Sequence, residues 1–236
     1  MNITSILFIF LILSIYYKIY YSDNNNLIKS YQKPFVFKNY NYEYYNIITR
    51  LFIIFNSSSH SISLLDKFKI SSNDAFLDIG SGNGYNLLYV NKKYNFRNLY
   101  GVEINKNTYD AAKYNLNLIN SNKIKNYNQD VTKFNIPKDV NYIYLFNPFA
   151  KEFYSKKIDK DELEKYKKLI NKIKISYNKK PRQINIIFVN IKPDSDQEKK
   201  VYQLFCNNFN LYDEGSVNIN LLLKTKYAIF NTPEYV

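Results

Sequence analysis

Tryptophan is absent from this 236-residue chain, and histidine, cysteine and methionine occur once each. With His60 as the only imidazole, no Ser/His/Asp relay and no histidine-based metal set can be assembled, and no metal site is expected. Cys206 is the only thiol, which excludes an intrachain disulfide and a thiolate cluster and makes a reducing compartment the natural home. Alanine and glycine are scarce while Asn, Lys, Ile and Tyr are over-used, the residue signature of AT-rich codons. Part of the lysine excess therefore has a source unrelated to function. No internal repeat is visible.

What is present is a chain able to fold. Hydrophobic residues make up 46% and aromatics 18%, carried by 25 Tyr and 17 Phe, which excludes disorder over most of the length. The length suits one α/β domain with a sizeable core and leaves no room for a second of ordinary size. The formal net charge of +13 favours anionic partners, although codon bias and solubility account for it equally well.

Ile3 to Tyr21 is an apolar run about long enough to cross a bilayer as a helix. Its one charge, Lys18, lies near the end, with Tyr16, Tyr17, Tyr20 and Tyr21 where an interfacial belt would sit. A cleaved signal peptide is the rival, but no basic residue precedes the run and the first alanine of the chain is Ala75. The expectation is a single-pass membrane protein whose C-terminal domain faces the cytosol, because Lys18, Lys29, Lys33 and Lys38 all follow the run. Residues 1–21 are read as the anchor, 22–69 as a linker and helical cap region, and 70–236 as the main domain. Within the cap, Tyr31 to Phe55 reads as mostly helical and Ser61 to Phe68 as a short helix.

From Ala75 onward, short apolar runs alternate with polar-faced helical stretches, the pattern of βαβ units on a parallel sheet. Strands are expected at Ala75–Ile79, Asn98–Glu103, Ile124–Asn128, Val140–Phe146 and Gln183–Asn190, with a C-terminal pair near Phe209–Asp213 and Leu222–Phe230. Helices are expected at Tyr85–Lys92, Lys106–Ile119, Asp161–Tyr177 and Asp196–Cys206. The fold class is α/β: a Rossmann-like, mostly parallel seven-stranded sheet ending in an antiparallel hairpin.

The first strand runs into Asp78-Ile79-Gly80-Ser81-Gly82-Asn83-Gly84 and then directly into a helix. Glycines there let the backbone turn sharply and approach a ligand closely. The next strand ends at Glu103, 19 residues past Gly84, where an acidic side chain accepts ribose hydroxyls. A dinucleotide fingerprint needs a small residue one position after Gly84, and Tyr85 stands there. A pyrophosphate also gains nothing from a nearby carboxylate, whereas S-adenosylmethionine carries an ammonium that Asp78 can assist.

The stretch from about Phe68 to Phe149 resembles the cofactor half of class I S-adenosylmethionine-dependent methyltransferases. That resemblance implies that Asp78, Gly80, Ser81, Gly82 and Gly84 surround the methionine moiety and that Glu103 holds the ribose. It puts Ile104 against the adenine face, and Asp130, with Val131 beside it, at the adenine amino group. The fourth strand ends in Asn147-Pro148-Phe149. Many amino-methylating enzymes carry Asn-Pro-Pro-Tyr or Asn-Pro-Pro-Phe at this place, and the chain is most similar to small members with Asn-Pro-Phe. Asn147 is the candidate that orients the acceptor, Pro148 stiffens the turn, and Phe149 walls the substrate.

Between Lys156 and Arg182 there are eleven Lys and Arg against four Asp and Glu, which reads as a solvated helix or as a face for an anionic partner. The expected function is S-adenosylmethionine-dependent N-methylation of a protein amine or small molecule near a membrane. A non-catalytic binding module and a nucleic-acid methyltransferase are the alternatives. No separate target-recognition domain fits in the remaining length, which argues against sequence-specific DNA methylation.

Overall fold

The computed structural model describes residues 59–119, 121–149, 160–191, 196–218 and 224–233. A short helix, α1 (Ser59–Ile62), and a 3-10 turn (Ser63–Lys67) lead into a seven-stranded sheet. Its strands are β1 (Ala75–Ile79), β2 (Asn98–Glu103), β3 (Ile124–Asn128), β4 (Val140–Phe146), β5 (Asn185–Val189), β6 (Asn210–Asn218) and β7 (Lys224–Asn231). The helices between them are α2 (Tyr85–Lys93), α3 (Lys106–Asn117), α4 (Lys160–Lys179) and α5 (Asp196–Cys206).

The strand order is β3-β2-β1-β4-β5-β7-β6, with β1 to β5 parallel and β7 antiparallel to both neighbours. Every residue of β1 and β5 is buried, as continuous apolar runs require when helices cover both faces. On one face, Tyr166, Leu169, Ile170 and Ile173 of α4 and Val201 and Phe205 of α5 close over Ile143, Leu145, Ile186 and Phe188. On the other, Ile62, Leu64 and Leu65 pack with Leu87 and Val90 of α2 against Phe76, Tyr144, Ile187 and Ile229. Ser61 Oγ and the buried Tyr144 hydroxyl meet at 2.6 Å, tying α1 to the centre of β4.

The order reverses between β1 and β4, so a crevice opens at their carboxyl ends, where ligands of such sheets bind. β1 to β4 begin and end at the expected residues. β6 runs on to Asn218, past the expected end at Asp213. As an edge strand it tolerates polar, half-exposed residues that weaken the apolar alternation, and Gly215 lies under the Tyr227 ring, 3.1–3.3 Å from where a Cβ would sit. α3 stops at Asn117, with Leu118 and Ile119 continuing as a turn.

The structure corrects the expectation of a single-pass membrane protein: among the described residues no helix is long and apolar enough to cross a membrane. Residues 3–21 and the helix expected over Tyr31–Phe55 lie outside the described residues.

Candidate active site

The turn after β1 is built by hydrogen bonds from its neighbours. Gly80 N and Ser81 N both donate to Val102 O, at 2.9 and 3.1 Å, which anchors the turn to β2. Gly80, Gly82 and Gly84 hold φ of 78°, 54° and 81°, a left-handed path that side chains with a Cβ rarely take. Gly84 is also constrained by space, since a Cβ there would stand 3.2–3.3 Å from Leu116 and Ala112 of α3. From the same helix Asn115 Nδ2 donates to Asn83 O at 2.9 Å and fixes the far side of the turn.

Glu103, at the end of β2, folds its carboxylate back onto this turn. Gly82 N donates to Oε2 at 3.0 Å and Asn105 N to Oε1 at 2.8 Å. Each oxygen keeps a further lone pair with which to accept a hydroxyl. The next residue, Ile104, is 68% exposed. Its backbone is held by β3, where Asn128 Nδ2 donates to Glu103 O at 2.9 Å and to Ile104 O at 3.1 Å. Asn128 is a site residue that the sequence reading missed. Asp130 caps its own turn, Oδ1 accepting from Thr132 N and Thr132 Oγ1 at 2.8 Å each. The Val131 side chain points into the core beside Phe134 and Ile136, so only its backbone faces the rim.

Asp78 is 1% exposed, and its Oδ2 has no hydrogen-bond partner among the described residues. Burial pushes the Asp78 carboxyl up to about 7; a hydrogen bond from Asn86 opposes the rise and the nearby Glu103 charge adds to it. An orphaned carboxylate oxygen beside a glycine cradle suits a cofactor that carries an ammonium group. The residues present therefore fit S-adenosylmethionine.

β4 delivers the second turn. Asn147 is held at φ 43°, and a Cβ on Gly80 would lie 3.7 Å from Pro148, so the turns after β1 and β4 touch. Tyr166 of α4 donates a long hydrogen bond of 3.4 Å to Asn147 Oδ1. The Phe149 ring meets Tyr166 edge-on at 4.7 Å and partly covers the core. Burial, with the Glu162 and Glu198 charges adding, holds the Tyr166 hydroxyl well above the usual phenol range, so it stays protonated and keeps the proton it donates to Asn147. Tyr166 went unnoticed in the sequence because nothing in its helical spacing separates it from other core residues. The structure thus brings Asp78, the three glycines, Glu103 and the Asn147 turn to one crevice, with Ile104 and Asp130 at its rim.

Residues 56–143 match the model of the family described as histone methylation protein DOT1. No curated protein sequence matches the chain. Among solved structures, a SAM-dependent methyltransferase from Aquifex aeolicus is similar with a TM-score of 0.55 at 15% identity, over 80% of this chain and 100% of that one. The N-methyltransferase NodS from Bradyrhizobium japonicum WM9, in complex with S-adenosyl-L-homocysteine, is similar with a TM-score of 0.54 at 11% identity, covering 89% and 100%. TrmN from Thermus thermophilus is similar with a TM-score of 0.55 at 12% identity, covering 74% and 48%. These likenesses establish the fold. Together with the family match and the chemistry of the crevice, they make the chain an S-adenosylmethionine-dependent methyltransferase of the class I fold.

Proposed function

We propose that the chain methylates an amine nitrogen, carried by a protein or by a small molecule. The observation that supports this reading is the contact between the two turns, where Pro148, the residue after Asn147, meets Gly80 of the glycine cradle. The family description as a histone methylation protein favours a protein amine, and the similarity to NodS, an N-methyltransferase, also favours nitrogen.

In this reading Asp78, Gly80, Ser81, Gly82 and Gly84 surround the methionine end of the cofactor, and Glu103 accepts the ribose hydroxyls. Ile104 covers the adenine, with Asp130 and the Val131 backbone at its polar edge. The cofactor supplies a methyl group activated by a sulfonium, and what the protein must add is alignment. Asn147 Oδ1 accepts an N–H of the incoming neutral amine and aims its lone pair. Tyr166 steadies that amide from behind, and Pro148 prevents the turn from relaxing. Phe149 gives the acceptor one apolar wall with the edge that Tyr166 does not cover.

Asn147→Ala should leave cofactor affinity nearly unchanged and slow methyl transfer by roughly 10–1,000-fold, the range for losing one orienting group. The measurement pairs a binding isotherm with single-turnover transfer of radiolabelled methyl to core histones and to a panel of small amines. Unchanged rates would remove Asn147 from the reaction, and lost cofactor binding would make it a cofactor contact instead. A nucleic-acid acceptor is the second reading, favoured by the net charge and by exposed Lys168, Lys174 and Lys179 along α4. Label entering tRNA in preference to protein or amines would establish it.

A further inference from the structure

We infer that Asn126 is a positioning residue for the cofactor turn, acting through Ser81 across a gap that Gly101 keeps open. The inference rests on the cofactor reading of that turn and adds residues from β2 and β3 to it.

Asp78, Gly101 and Asn126 occupy one row across β1, β2 and β3, so their side-chain positions share a face of the sheet. In the middle of that row Gly101 has no side chain, and Asn126 leans over it. Its Oδ1 accepts a hydrogen bond from Ser81 Oγ at 2.8 Å, two strands away. Gly101 does not need glycine for its backbone, because its φ lies outside the left-handed region that Gly80, Gly82 and Gly84 occupy. It needs glycine for space: a Cβ would overlap Asn126 Oδ1 and stand 2.7 Å from Leu87 Cδ1 and 3.0 Å from Ser81 Cβ. The missing side chain on β2 is therefore what lets β3 reach the turn after β1.

Asn126 is a poor choice for stability alone. Its Nδ2 is buried without a partner among the described residues, which destabilises a fold, and an apolar side chain of equal volume would carry no such penalty. What the residue provides is the bond to Ser81, which sits between Gly80 and Gly82 and is 4% exposed. Ser81 N donates to Val102 O at 3.1 Å and Ser81 O accepts from Gly84 N at 2.9 Å, so the hydroxyl bond adds a third restraint at the middle of the glycine path. A turn fixed in this way meets its ligand already shaped and loses less freedom on binding.

The test is calorimetric titration of the full chain with S-adenosylhomocysteine, alongside thermal unfolding, for wild type, Asn126→Leu, Ser81→Ala, the double variant and Gly101→Ala. Asn126→Leu keeps the branched outline, and its removal of the orphaned amide offsets the acceptor it takes from Ser81, so its unfolding temperature should be little changed while its Kd rises roughly 5–20-fold, as expected for one lost hydrogen bond. Ser81→Ala should weaken binding to the same extent, and the double variant no further than either alone. Gly101→Ala should raise Kd at least as much, by pushing Asn126 aside. Unchanged Kd for Asn126→Leu, additive effects in the double variant, or loss of folding in Asn126→Leu would overturn the inference, the last by showing that the residue serves the fold. Failure of the wild type to bind S-adenosylhomocysteine would instead overturn the cofactor reading on which the inference stands.

Discussion

Asp78 is a carboxylate that the fold removes from water without a cationic partner of its own. Its carboxyl is raised from 3.8 to about 7, so the folded, ligand-free protein holds a proton there that the unfolded chain releases. The stability linked to this group is thus fully present below about pH 4 and is lost as pH rises through 7, a loss of roughly 4 kcal/mol at ~1.4 kcal/mol per unit. Asp78→Asn should cancel that loss, so the gap in denaturation free energy between variant and wild type widens from pH 4 to pH 8. Cofactor affinity should move the other way in the wild type and tighten from pH 6 to pH 8, as the carboxylate ionises to meet the ammonium. A flat stability difference across that range would place the Asp78 proton elsewhere. The residues of this site divide by how far apart in sequence their partners lie. Asp78, the three glycines and Glu103 were legible because each sits at a fixed offset from a strand end. Asn126, Asn128 and Tyr166 were not, because their partners Ser81, Glu103 and Asn147 are brought near only by strand register or helix packing.

At the level of elements, Arg182 shows how the α4–β5 connection is held. Its guanidinium donates from Nε to Val140 O at 2.8 Å, from Nη1 to Ser176 O and Lys180 O at 2.9 and 2.8 Å, and from Nη2 to Ser176 Oγ at 2.8 Å. One side chain thereby ties the last turn of α4 to the start of β4 and satisfies carbonyls that a helix end leaves open. Arg182→Met should cost roughly 2–4 kcal/mol of stability, because those carbonyls lose a charged donor. Its effect on S-adenosylhomocysteine affinity should be negligible, since the clamp lies at the opposite end of β4 from Asn147. A denaturant titration with a binding isotherm checks both halves. In the sequence this arginine belonged to a basic stretch that read as a solvated face or an anion-binding one, and for this residue neither description holds. Strand boundaries were readable where burial on both faces forces an apolar run, as in β1 and β4. They blurred at β6, where an edge position relaxes the pattern.

On the scale of the whole molecule, the sheet order puts the β1 and β4 turns in contact, and the chemistry assigned to the chain depends on that contact. Alternating strands and helices already implied a parallel α/β sheet. The order β3-β2-β1-β4-β5-β7-β6 could not be read from local pattern, because it depends on crossovers that leave no mark in any one segment. The expectation of a membrane protein rested on residues 3–21 alone and drew no support from the rest of the chain. What remains is the crevice lined by Asp78, the glycine turn and Glu103, which we propose holds the cofactor, and the most direct test is made there. The measurement is a calorimetric titration of wild type and Glu103→Ala with S-adenosylhomocysteine and, separately, with NAD. Saturable binding of S-adenosylhomocysteine to the wild type is expected, with no heat from NAD and a loss of ~1–3 kcal/mol in Glu103→Ala for the ribose hydrogen bonds. Binding of NAD in its place, or an affinity for S-adenosylhomocysteine untouched by Glu103→Ala, would contradict the assignment of this crevice.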